Sequence, residues 1–97
     1  MIKVVVGYKL KPAVDIQPIL LKLRSNAITY PGFINAENLM NTQDSSIIFV
    51  LYTWDKIEDW QLWESTNTRK KILQEAEPIL CEQPRVKVYR VLPTTGR

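Results

Sequence analysis

Apolar residues recur along this chain with two periods, near two in some stretches and near three and a half in others, and each change of period marks an element. Residues 2 to 9, Ile-Lys-Val-Val-Val-Gly-Tyr-Lys, are β-branched and apolar until Lys11-Pro12 closes the run, which predicts a first strand. Ile16, Ile19, Leu20, Leu23 and Ala27 then fall at helical spacing. With Asp15 as cap and Pro18 in the first turn, they predict a helix over 16–29. Tyr30-Pro31-Gly32 breaks it, and two strands, 33–40 and 47–54, flank the turn-forming run Asn-Thr-Gln-Asp-Ser-Ser at 41–46, as in a hairpin. Asp55 and Glu58 have the spacing of a capping box, ahead of Ile57, Trp60 and Trp63 on one helix face. Four backbone competitors, Ser65 to Thr68, predict a break. A second helical segment carries Ile72, Leu73 and Ala76 and stops at Glu77-Pro78. A last strand spans 85–92 after Pro84.

The order strand, helix, strand, strand, helices, strand is that of an α+β, ferredoxin-like split βαβ fold, with a four-stranded antiparallel sheet and its helices on one face. One domain over 1–92 is expected, followed by a short polar tail at 93–97. The strands carry apolar residues on both sides: Ile47, Phe49 and Leu51 point one way in the third strand, and Ile48, Val50, Tyr52 and Trp54 the other. Helices can cover only one of those faces, whereas a sheet face left in water should alternate with polar residues. A second copy of the same sheet is the expected cover, making a homodimer through the helix-free face.

Composition narrows the chemistry. The 97 residues include no histidine, which removes the commonest metal ligand and the usual proton carrier near neutral pH, so no metal site is expected. A single cysteine, Cys81, forms no disulfide within one chain and is read as a buried, inert thiol. The longest apolar run, 47–52, is far too short to cross a bilayer, and the N-terminal stretch lacks the apolar core of a secretion signal. A cytoplasmic protein with no membrane partner is the expectation. The net charge of +3 is spread over both halves, and Arg69, Lys70 and Lys71 read as a solvated helix face rather than a nucleic-acid stripe.

Tyr-Pro-Gly-Phe-Ile-Asn-Ala-Glu at 30–37, Trp54 opening Trp-Asp-Lys-Ile-Glu-Asp-Trp, Trp63-Glu-Ser with Arg69 beyond, and Glu-Pro-Ile-Leu at 77–80 before a Val-Lys-Val-Tyr strand follow one another over nearly the whole chain. In that order they resemble the antibiotic biosynthesis monooxygenase-like (ABM) family of dimeric α+β barrel proteins. The resemblance implies a homodimer, and either a cofactor-free monooxygenase forming quinones from phenolic substrates or a haem-degrading enzyme. Trp63 matches the Trp of the haem-degrading pattern, but Gly7 stands where its Asn is expected and Leu73 where its His is. Trp54 matches the quinone-forming pattern, while Val50 replaces its Asn and Trp60 its Tyr, and Arg69 is the nearby arginine. The scaffold is supported more strongly than the inherited mechanism.

Oxygenation without a cofactor needs an electron-rich, deprotonated aromatic held away from water. A pocket between sheet and helices lined by Tyr8, Phe49, Trp54, Trp60 and Trp63 would suit a flat ring, with Asn35 as a further binding residue. Trp54, Tyr52 and Arg69 are the candidate catalytic residues. Each has a plainer reading: Trp60 and Trp63 as anchors pinning a helix to the sheet, Arg69 in a surface salt bridge, and Glu37 and Asn38 as solvated strand residues. Three classes of function stay open: a cofactor-independent monooxygenase, a non-catalytic binder of a small aromatic metabolite, and a structural dimerisation module with a filled interior.

Overall fold

The structure is a computed structural model and describes residues 1–94. Its elements are β1 (Ile2–Lys9), α1 (Gln17–Ala27), β2 (Phe33–Met40), β3 (Ile47–Trp54), α2 (Ile57–Glu64), α3 (Asn67–Ala76), a 3₁₀ turn (Glu77–Ile79) and β4 (Arg85–Arg90). All strand pairs are antiparallel, in the order β2-β3-β1-β4, which places the N-terminal strand centrally beside β3. This is the expected four-stranded ferredoxin-like α+β arrangement. The last strand ends at Arg90 rather than residue 92, although the Val91 N–H still donates to the Met1 carbonyl at 3.0 Å. Of the expected tail at 93–97, Thr95, Gly96 and Arg97 lie outside the described residues.

Local chemistry accounts for the element ends, with two corrections. Helix α1 has Ile16 as its N-cap, and Asp15 works from one position further out, its Oδ1 accepting from the Gln17 N–H at 3.0 Å. The capping box at Asp55 and Glu58 does not form. Lys56 stays extended (φ −130°, ψ 155°), so α2 starts one residue later than a box requires and Glu58 sits too early in the first turn to reach back. Glu58 and Asp59 still place negative charge at the positive end of the helix dipole. The break between the last two helices is real, and Thr66 makes it: its hydroxyl donates to the Trp63 carbonyl at 2.8 Å and accepts from the Arg69 N–H at 3.2 Å. In the β2–β3 turn the Asn41 carboxamide oxygen accepts from the Gln43 and Asp44 amides, closing the hairpin.

The helices cover one face of the sheet. Ile2, Val4, Val6 and Tyr8 of β1 and Ile48, Val50, Tyr52 and Trp54 of β3 point toward them and are buried. Leu20, Leu23 and Ala27 of α1, Trp60 and Trp63 of α2, and Ile72 and Ala76 of α3 close over these strands. Coverage fails at the β4 edge, where Val86 and Val88 remain 36 % and 40 % exposed.

The opposite face carries no helix. Strand register sorts its side chains into rows: Glu37–Leu51–Val5–Lys87, Leu39–Phe49–Gly7–Arg85 and Asn35–Thr53–Lys3–Tyr89. Val5, Ile47 and Leu51 are half-buried there, while Leu39, Phe49 and Tyr89 are exposed. The Phe49 ring occupies the space left by Gly7, which has no side chain; a Cβ at residue 7 would stand 2.8 Å from that ring.

Candidate functional site

Strand β3 and the α2–α3 pair build the most unusual part of the interior. Trp54, the last residue of β3, is anchored where the Asp55 N–H donates to the Gly32 carbonyl at 2.8 Å. Gly32 itself adopts φ 84°, the left-handed conformation that the turn after α1 demands, with Asp59 packed where a Cβ would go. The Trp54 indole meets Phe33 edge-on, with ring centroids 5.4 Å apart, and Trp60 at 6.3 Å. Tyr52 lies 6.1 Å from Trp60, and Tyr30 meets Trp63 edge-on at 5.2 Å. Trp54 is 0 % exposed and Trp60 and Trp63 are each 1 % exposed, so all three serve as core anchors.

The polar atoms in this cluster are poorly partnered. The indole N–H groups of Trp54 and Trp63 are buried and donate to nothing among the described residues. A buried donor left unmade costs about 1–3 kcal/mol, so such groups are uncommon in settled cores. Arg69 is 9 % exposed and lies over the Trp60 ring, its guanidinium carbon 5.2 Å from the centroid. The ion pairs of the described residues, Lys9–Asp44, Lys22–Glu75 and Arg85–Glu82, do not include it. The expectation of a surface salt bridge at Arg69 is therefore corrected. The Thr66 cap fixes Arg69 in the first turn of α3, a turn without acidic residues, and carries the side chain inward. There the positive end of the helix dipole adds to the guanidinium charge.

Two tyrosines complete the cluster. Burial pushes the Tyr8 phenol far above its ordinary range, and the neighbouring Tyr52 adds to the shift, while the Arg69 charge pulls it back. Burial likewise pushes Tyr52 up to about 12, against the pull of Arg69 and Arg24. Both phenols therefore stay protonated near neutral pH, as hydrogen-bond donors rather than bases. Since Arg69 acts on both, the cation and the two hydroxyls share one neighbourhood.

The structure thus gathers Tyr8, Tyr52, Trp54, Trp60, Trp63 and Arg69 between sheet and helices, and separates Phe49 and Asn35 from them. Phe49 pairs with Gly7 and Asn35 with Thr53, positions that face away from the helices, since strand side chains alternate. Phe49 instead borders a groove of about 530 Å³ on the helix-free face, together with Gly7, Ile47, Arg85 and Tyr89. Glu37 lies on that face as well, whereas Asn38 pairs with Val50 on the helix side, where it is exposed. Cys81 is exposed rather than buried, with its Sγ 3.5 Å from the Leu10 carbonyl oxygen. Sequence reasoning missed Thr66 as the residue that orients Arg69, although a Thr three residues ahead of it is a readable capping signal.

Among the described residues no group of three or more His, Cys, Asp or Glu side chains is placed to hold a metal ion. No described helix is long and apolar enough to cross a membrane.

No protein-family model matches the chain, and no curated protein sequence matches it significantly. Solved structures do match. An antibiotic biosynthesis monooxygenase superposes with a TM-score of 0.82 at 17% identity, over 96% of this chain and 100% of its own. A conserved protein from Methanosarcina mazei Go1 gives 0.78 at 18% identity, over 92% and 90%. SnoaB, a cofactor-independent oxygenase from Streptomyces nogalater, gives 0.83 at 8% identity, over 99% and 97%. At such identities the likeness is one of fold: the chain has the ferredoxin-like fold found in antibiotic biosynthesis monooxygenases.

Proposed function

We propose that this chain is a cofactor-independent monooxygenase that oxidises a small phenolic or quinol-like aromatic with dioxygen. In this reading it works in the cytoplasm, as a homodimer joined through the helix-free sheet face. The observation that carries the proposal is Arg69, a buried cation with no carboxylate partner among the described residues, close to two protonated phenols and to the Trp60 ring. A cation so placed favours an anion, and a deprotonated phenol is both an anion and an electron donor to dioxygen. Arg69 would hold the phenolate, and its charge would lower the pKa of the bound substrate. Tyr8 or Tyr52 would donate to the oxygen that gains electrons, and the aromatic walls would exclude water. The stoichiometry closes without an external reductant: one oxygen atom enters the ring, the other leaves as water, and the substrate supplies the electrons. The fold likeness to SnoaB is consistent with such chemistry.

A second reading rests on the same residues. Trp54, Trp60 and Trp63 pack tightly, as a structural dimerisation module requires, and a non-catalytic binder would admit its ligand only by moving them. An oxygen electrode with a panel of quinols and anthrones separates the readings. The monooxygenase reading expects uptake above the uncatalysed rate, reduced at least about tenfold by Arg69→Met, while the variant's stability stays within about 1 kcal/mol of the parent. No substrate-dependent uptake across the panel would sink it and leave the binder or the module, which a ligand-induced rise in melting temperature would tell apart.

A further inference from the structure

The sheet has two edge strands, β2 and β4, and they are protected differently. Strand β4 carries Arg85, Lys87 and Arg90 among its six residues, cations that keep the edge of another copy away. Strand β2 runs for eight residues with Glu37 as its one charged side chain, and its Ile34, Leu39 and Met40 are 49 %, 46 % and 59 % exposed. An edge so long, so lightly charged and so apolar invites pairing with another chain.

Hydrogen-bond parity shows which groups that edge presents. The Asn41 N–H donates to the Ile47 carbonyl at 3.0 Å, and the residues bonded to β3 alternate from there back through Leu39, Glu37 and Asn35. Ala36, Asn38 and Met40 therefore turn their N–H and C=O groups outward. Arg24, in the last turn of α1, reaches one of these groups: its Nη1 donates to the Ala36 carbonyl at 2.8 Å. The ion pairs of the described residues do not include Arg24, so its guanidinium is engaged with the strand edge rather than with a carboxylate. Beyond it the edge lies open along a groove between α1 and β2, bordered by Pro18, Leu21, Arg24 and Asn38.

We infer that Arg24 closes the β2 edge against strand pairing with a second copy of this chain. The competing structure is an antiparallel β2–β2 ladder centred on Asn38, which would join two four-stranded sheets into one. In that register Glu37 lies opposite Leu39 of the second copy and Ala36 opposite its Met40, so no like charges meet. To form it, each Ala36 carbonyl must exchange a charge-assisted bond for an ordinary backbone one. The contact is edge to edge, independent both of how the helix-free face is covered and of the monooxygenase reading.

Sedimentation velocity and amide hydrogen exchange on the parent, Arg24→Ala, Arg24→Gln and a double variant combining Arg24→Ala with Asn38→Pro test the inference. Arg24 and Asn38 are exposed, so all four should share one circular dichroism spectrum. Both Arg24 variants should associate beyond the parent's own state, at concentrations at least about tenfold lower than the parent requires. As they associate, protection should rise at the outward-facing Ala36, Asn38 and Met40 amides. Asn38→Pro removes one outward N–H and no bond to β3, and should restore the parent's behaviour. Arg24 variants that sediment as the parent does at every concentration would overturn the inference. So would association that leaves those three amides exchanging as fast as in the parent, or that survives Asn38→Pro.

Discussion

The two faces of this sheet are built from the same strands, one residue out of step, and they solve different problems. On the helix side, Val4, Val6, Val50 and Trp54 are at most 1 % exposed. On the other side, Leu39, Phe49 and Tyr89 are 44–52 % exposed, interspersed with Lys3, Lys9, Glu37 and Lys87. The first pattern is a finished core. The second resembles the surface of a specific interface, apolar at the centre and charged toward the rim. Alternation in a β-strand makes this division possible, since neighbouring residues are committed to opposite environments.

The largest loss of stability is expected from the helix side of the sheet. Trp60→Ala should cost about 3–5 kcal/mol in urea unfolding, since the indole touches both Trp54 and Tyr52 and leaves a cavity that the sheet cannot close. A charge at the centre of the other face should act differently. Leu51→Asp should shift the population to monomer by light scattering, yet cost the isolated chain no more than about 1 kcal/mol, because Leu51 is only half-buried there. Equal damage from both substitutions would erase the distinction between core and interface.

Alkaline titration sharpens the picture of the buried phenols. Tyr52 is raised to about 12 from an ordinary 10.0, and Tyr8 is raised as well, so the folded state binds protons that the unfolded chain would release. Their contribution to stability is full below pH 10 and is lost as pH climbs through about 12. Ultraviolet titration should show this phenolate absorbance emerging together with loss of the fold. Substitution of Tyr52 by Phe should reduce the pH dependence in that window. The smallest effect belongs to the Lys22–Glu75 pair joining α1 to α3: at 2.7 Å but about half-exposed, it should contribute no more than about 0.5 kcal/mol in a double-mutant cycle.

The strands and helices were legible because local chemistry and the fold agree in this chain. The β-branched runs at 2–9 and 47–54 are strands to the residue, and Asn41 to Ser46 turn as their side chains require. The capping box at Asp55 misled because a one-residue delay in helix onset is invisible to spacing alone. The site was legible only in part. Trp54, Trp60 and Trp63 stand out by type, but a pocket holding both Phe49 and Trp54 conflicts with the alternation that sets them on opposite faces, and Asn35 shares a row with Thr53 on the Phe49 side. Arg69 looks like any cation in a Lys/Arg run until the Thr66 cap sets which way α3 presents it. Burial of a charge is a tertiary fact, and nothing in the neighbouring residues announces it.

The helix-free face is the hinge of this account, and the solution mass of the unmodified chain probes it directly. Light scattering at micromolar concentration should return twice the 11.3 kDa of one chain. A mass of one chain across the accessible concentration range would leave Phe49, Leu39 and Tyr89 facing water and contradict the dimer.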